Sequence, residues 1–274
     1  AIITEVVEKD EIVTYNARLE LVLQVVGVSS PVLSFIVLQF ASLHMTLVLD
    51  AISFFIAFTL VALLPKKEIQ VHEKKSFSWK NIFVDMKAGL HYIWHQKEIF
   101  FLLLVASSVN FFFAAFEFLL PFSNRLYGVE GAYASILTMG AIGSIIGALL
   151  ASKIKASVHS LLILLALTGI GVFMMGLPLP TFLSFSGNLV CELFMTIFNI
   201  HFFTQVQTKV EDKYLGRVLS TIFTLAILFM PIAKGFMTVL PSVHLSSFLI
   251  IGSGVVILSC LSLVYVRSRF EKDL

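Results

Sequence analysis

The chain has 274 residues, of which 58% are hydrophobic and 13% are charged, and Phe alone occurs 27 times. Soluble domains carry about 25% charged residues, so a water-soluble fold of this length, which could not hide that much apolar surface, is excluded. The net charge of +2 says little until the charges are placed along the chain, and Cys191 and Cys260, both in apolar runs, argue against a disulfide framework.

A bilayer core of ~30 Å is crossed by about 20 apolar residues in a helix. Eight segments reach that length: Leu19 to Phe40, Leu43 to Leu64, Ile99 to Phe122, Ala132 to Ala151, Val158 to Gly176, Thr181 to Gln205, Val218 to Leu240 and Leu245 to Val266. They are predicted as helices because the bilayer offers no water to satisfy an open backbone. The links Ala41-Ser42 and Leu177 to Pro180 are short and imply antiparallel hairpins. The stretch from Ala1 is charged and does not read as a signal peptide. It has no initiator Met, so an N-terminal portion is expected to precede it.

The long connection runs from Pro65 to Glu98. Its second half reads as an amphipathic helix with Phe83, Met86, Leu90 and Ile93 on one face. A surface helix along the inner side of the membrane is the expected form, with a regulatory docking site as the sharper alternative.

Basic residues resist translocation and mark the cytoplasmic side. With the N-terminus inside, the inner segments hold Lys9 and Arg18, then Lys66, Lys67, Lys74, Lys75, Lys80, Lys87 and Lys97. They continue with Lys153 and Lys155, with Lys209, Lys213 and Arg217, and with Arg267, Arg269 and Lys272. Of the 19 basic residues, only Arg125 falls outside and only Lys234 falls within a span. Both ends of the chain are therefore expected in the cytoplasm.

Enzyme signatures do not occur. The chain has no G-x-x-x-x-G-K phosphate loop, no H-E-x-x-H and no G-x-S-x-G. Its His residues are scattered and show no metal spacing within a span. No cofactor, metal or nucleic-acid partner is expected. In the fourth span Gly140, Gly143 and Gly147 form a small-residue stripe ending in G-x-x-x-G, read as packing within the bundle ahead of a dimer face. Pro31, Pro121 and Pro231 lie within or near span ends and permit bends.

Charges inside a span cost about 2.5–3.5 kcal/mol on insertion scales and call for a reason. Asn110 and Glu117 share a face of the third span, with Phe113 between them. Asn188, Glu192 and Asn199 share a face of the sixth, with Met195. Two such stripes suggest helices lining one cavity, with Asn110, Phe113, Asn188, Met195 and Asn199 as candidate lining residues. For the Asn side chains, interhelical hydrogen bonding stands beside ligand contact. Glu192 is near mid-span and has no cation in its own helix, which favours function. Asp50, Glu117 and Lys234 lie nearer outer ends, and Arg217 lies at an inner boundary. Asp50, Arg217 and Lys234 are candidates for gating or a charge pair.

Four stretches resemble a known family. They are Asp50-Ala51-Ile52-Ser53-Phe54, Leu119-Leu120-Pro121-Phe122, the run from Gln205 and Gln207 to Gly216-Arg217-Val218, and the loop segment from Asp85 to Tyr92. Together they are similar to the macrolide-efflux-type drug–proton antiporters of the major facilitator superfamily. That resemblance implies an all-α fold of twelve spans in two halves, with this chain holding about the fifth to twelfth. Residues 1–64 would then end the N-terminal half, 65–98 form the central cytoplasmic loop, and 99–274 form the six-span C-terminal half. It also implies a cell-membrane protein, monomeric at full length, that exports a bulky apolar or cationic compound against protons carried by Glu192 or Glu117. Two departures stand out. The superfamily's loop signature would fall at Gly147 to Ala156, where Ala151 replaces its Asp and only Lys153 and Lys155 remain basic. The Gly-Pro pair typical of the fifth span reads Ser30-Pro31. A transport-inactive relative or a non-catalytic membrane component is the alternative.

Overall fold

The structure, a computed structural model, describes residues 11–40, 42–62, 79–155, 157–239 and 242–270. The predicted loop as far as residue 78 lies outside the described residues, as do Lys9, Ala156 and Lys272. So do the side chains of Pro31, Lys80, Phe83, Asp85, Met86 and Arg269.

The described chain is mostly helical, and eight of the ten α-helices described overlap the predicted spans. They are α1 (Ile12–Phe40), α2 (Leu43–Ala62), α3 (Trp79–His95), α4 (Lys97–Leu119), α5 (Ser123–Tyr127), α6 (Ala132–Ala151), α7 (Val158–Met175), α8 (Thr181–Lys209), α9 (Asp212–Val239) and α10 (Ser246–Phe270). Among the described residues, six helices are long and apolar enough to cross a membrane: α4, α6, α7, α8, α9 and α10. The apolar part of α2, His44–Leu60, is shorter. The first predicted span falls on α1.

Local chemistry sets several ends. Ser157 caps α7: its hydroxyl accepts from the Ser160 N–H at 3.1 Å, while the Ser160 hydroxyl accepts from the Ser157 N–H at 2.8 Å, a reciprocal capping box. Between α5 and α6 the chain turns through Gly128 (φ 65°) and Gly131 (φ 78°), left-handed conformations that side chains disfavour. Pro180 precedes the first turn of α8, and Pro231 removes a backbone donor inside α9.

The chain forms two compact units, residues 25–83 and residues 1–24 with 84–274. In the smaller unit the described apolar side chains of α2, from Met45 to Leu60, are exposed. In the larger unit α8 packs on α6 and α7, α7 on α10, and α10 on α4, which also packs on α9. One core cluster joins Leu102, Leu161, Leu165, Ile197, Phe198 and Val255. A second, at the α5 end, joins Phe116, Ile136, Val172, Met175 and Phe248. Lipid is as apolar as these side chains, so close packing and interhelical hydrogen bonds, rather than removal from water, hold such helices together.

Glycine lets the closest pairs approach. A Cβ on Gly147 would stand 2.5 Å from the Leu193 carbonyl oxygen, and one on Gly143 would meet that of Leu189 closer still. The small-residue stripe of α6 is therefore occupied by α8 of the same chain.

Contacts fix which helix ends lie together. At one end Lys209 pairs with Glu98, the Tyr92 ring lies tilted with its centroid 4.7 Å from that of Tyr214, and Phe101 stacks 5.4 Å from Tyr265. At the other, the Tyr127 hydroxyl donates to the Met175 carbonyl at 2.6 Å, and its ring lies 6.4 Å from Phe248. The spanning helices therefore alternate in direction, and Lys97, Lys153, Lys155, Lys209, Lys213, Arg217 and Arg267 gather at one end.

The predicted amphipathic helix is α3. Its residues from Val84 onward belong to the larger unit, where Ile93 is buried in the first core cluster and Gly89 lies against the Arg217 carbonyl and Thr221 of α9.

Candidate functional site

A cavity opens between α4, α8 and α9. From α4 it is lined by Leu103, Ala106, Val109 and Asn110. From α8 it takes Met195, Phe198, Asn199, Phe202 and Phe203, and from α9 Ile222, Phe223 and Ala226. It holds about 430 Å³ of empty space, counting that open at its mouth. The α8 residues recur at three- and four-residue spacing, so one face of that helix supplies five of the twelve lining residues. Four of the twelve are phenylalanines. Phe198 and Phe202 stack with centroids 5.7 Å apart, and Phe203 stacks on Phe223 at 5.4 Å.

Two amides break this apolar surface. Asn110 donates from Nδ2 to the Ala226 carbonyl at 3.3 Å, tying α4 to α9. Asn199, half-buried, lines the cavity and makes no hydrogen bond among the described residues.

Glu192 lies seven residues before Asn199 on the same face of α8, half-buried, and turns toward α6. The Ser144 hydroxyl donates to its Oε2 at 3.3 Å, and its Cγ lies beside Gly140. A serine hydroxyl both donates and accepts, so this contact can persist whether the acid is ionised or protonated. Glycine at position 140 leaves room for the Glu192 stem.

The remaining predicted residues lie apart from this cavity. Asn188 is 2% exposed, and its Nδ2 donates to the Ile136 carbonyl of α6 at 2.8 Å. Phe113 is half-buried and packs edge-on against Phe116 at 6.1 Å, between the two core clusters. Glu117 and Lys234 pair with each other across α4 and α9 at 3.3 Å, each about half exposed. Arg217 is half-buried in the second turn of α9, and its carbonyl accepts from the Thr221 hydroxyl at 2.8 Å. Asp50 is exposed on α2, in the smaller unit. The structure thus brings Asn110, Met195 and Asn199 to one cavity, sets Glu192 on the adjoining part of α8, and joins Lys234 to Glu117.

The sequence does not single out Ser144 or the phenylalanines of the wall. Ser144 follows Gly140 by four residues and continues the small-residue stripe, which was its one signal. Nor does it single out a buried polar knot at the basic end. There Asn16 of α1 donates from Nδ2 to the Thr204 hydroxyl at 3.1 Å and to the Gln207 side-chain carbonyl at 2.9 Å. That knot joins residues about 190 apart in sequence, and no local pattern announces such a partner.

Comparison with curated proteins and with solved structures finds no significant match. The family model described as Major Facilitator Superfamily matches residues 1–226. This covers the larger part of the chain, including α4, α6, α7, α8 and the first half of α9. With an all-helical bundle of apolar spans, a cavity between them and that match, the chain is a multi-pass membrane protein of the transporter class and belongs to the Major Facilitator Superfamily.

Proposed function

We propose that the protein exports a bulky apolar or cationic compound in exchange for protons, in the manner of the macrolide-efflux branch. The observation that carries this reading is Asn199, without a hydrogen-bond partner among the described residues, in a cavity lined by four phenylalanines and seven residues along the same face of α8 from Glu192. Aromatic faces hold both apolar bodies and cationic heads. A single unpaired amide orients a ligand there without imposing a strongly polar site.

Glu192 takes the proton. A neutral carboxyl moves through an apolar environment at lower cost than a carboxylate, and Ser144 keeps a hydrogen bond to either form. Binding of the proton and rearrangement of α8 against α6 are thereby linked. The Glu117–Lys234 pair lies toward the opposite end of the spans and serves as a charge contact that forms or breaks with access.

In this reading the chain holds about the fifth to twelfth spans, and the rest of the cavity wall belongs to the other half of the transporter. The basic end faces the cytoplasm, the cell membrane is its site, and the full-length protein works as a monomer.

The test is export of fluorescent hydrophobic cations and of macrolides from cells that lack other exporters. The intact protein should lower their accumulation, and a protonophore should abolish that effect. Asn199→Leu should raise the concentration for half-maximal export at unchanged expression. Accumulation equal to the empty-vector control across the panel, with the protein folded in the membrane, would instead identify a transport-inactive component.

A further inference from the structure

The helix α3 has two unlike sides. One is held by the bundle: Gly89 lies against α9, Ile93 is buried, and the Tyr92 hydroxyl accepts from the Glu211 N–H at 3.3 Å. At 3.6 residues per turn, Leu90, Trp94, Lys87, His91, Val84 and His95 follow one another around the opposite side. All six are exposed. Trp94 is 63% exposed, yet it rests against Phe100 of α4 with centroids 4.8 Å apart.

The position of this side in the membrane follows from α4. That spanning helix begins at Lys97, one residue after α3 ends at His95 and Gln96 intervenes. Trp94 and Phe100 therefore sit where the span enters the bilayer, and the exposed side of α3 lies at headgroup level. Tryptophan is enriched at that level because its ring is apolar and its N–H is polar.

The chemistry of the face fits one occupant. Its edge at Leu90 and Trp94 is apolar. Next to that edge stand Lys87 and two imidazoles, the His95 Nδ1–H donating to the His91 carbonyl at 2.7 Å. Among the described residues no acidic side chain lies on this side, and Glu98 just beyond it is paired with Lys209. Lys87 enters no ion pair among the described residues. A helix apolar along one strip, with a lysine on the next and no acid beside it among the described residues, suits a membrane interface that carries anionic lipid.

We infer that the exposed side of α3 binds anionic phospholipid headgroups, Lys87 meeting the phosphate while Trp94 and Leu90 enter the acyl boundary. Because the other side of α3 grips α9 near Arg217 and Thr221, lipid held here would steady that end of α9 against the bundle. This surface is separate from the cavity and does not depend on what is transported.

Lipid quenching of Trp94 tests the assignment. Trp79, and any tryptophan outside these 274 residues, is replaced by Phe, which leaves Trp94 as the single reporter. The intact protein is placed in nanodiscs with brominated phosphatidylglycerol or brominated phosphatidylcholine at equal mole fraction. Phosphatidylglycerol should quench more strongly, and Lys87→Gln should reduce its apparent affinity about fivefold, the expected effect of one surface cation. Equal quenching by both lipids overturns the anionic preference. Absence of quenching by either places this side against water or a protein partner and overturns the site. Displacement of the phosphatidylglycerol effect by inorganic phosphate identifies a free-anion site instead, as retention of full preference in Lys87→Gln identifies a different cation.

Discussion

At the scale of single residues, three polar side chains of α8 lie on one face and have three different surroundings. Asn188 is tied to the Ile136 carbonyl of α6, Glu192 to the Ser144 hydroxyl, and Asn199 to no side chain or backbone group among the described residues. Periodicity places all three on one face but does not reveal which helix covers which part of it. The same limit applies to Lys234. From sequence alone it can pair with Glu192 or stay apart, and only the adjacency of α4 and α9 gives it Glu117 as partner. Substitutions should separate these roles. Asn188→Leu should lower the unfolding temperature modestly, since interhelical hydrogen bonds in membranes average ~0.6 kcal/mol. Asn199→Leu should leave that temperature unchanged while weakening ligand binding, as thermal unfolding with and without ligand would show. Glu192→Gln keeps the volume and the Ser144 contact but cannot ionise. It should fold normally and export with a flat pH profile. A parental pH profile at equal expression would move the proton site away from Glu192, with Glu117 the next candidate.

At the scale of elements, the six long helices were legible because each combines span length with an apolar composition that no soluble helix needs. The amphipathic period also exposed α3. Helix contacts were less legible, because they depend on shape. The stripe Gly140, Gly143 and Gly147 fits a second copy of the chain as well as a neighbour within it, and the structure fills it with α8. The docking of α3 depends in turn on Gly89, where a Cβ would stand 2.8 Å from the Arg217 carbonyl oxygen. A side chain at Gly143 must push α6 off the Leu189 backbone and with it draw Ser144 away from Glu192. Gly143→Val should therefore destabilise the bundle by about 1–3 kcal/mol, the usual cost of overpacking. It should also alter the pH profile of export, whereas Gly128→Ala, in open space but at a left-handed turn, should affect stability alone. Thermal unfolding and pH-dependent export measured on both variants check the distinction.

At the scale of the whole molecule, charge and connectivity together set orientation. The helix-end contacts place the α6–α7 connection at the same end as Glu98, Lys209 and Tyr265, and the turn at Gly128 to Gly131 at the other, with Tyr127 and Phe248. The first end carries Lys153, Lys155 and the other clustered cations, and the second carries Arg125. Translocating basic residues across a membrane is disfavoured, so the lysine-rich end should stay in the cytoplasm. Ser152 and Glu130 are exposed at opposite ends and report on this directly. Each is changed to Cys in a background where Cys191 and Cys260 are replaced by Ala, since Cys260 is itself exposed. A membrane-impermeant maleimide applied to intact cells should label Glu130→Cys and should reach Ser152→Cys only after the membrane is permeabilised. The reverse pattern would invert the protein, put its basic end outside, and place the α3 lipid surface in the outer leaflet. Labelling of both positions in intact cells would mean a mixed topology, which a charge asymmetry of this size should prevent.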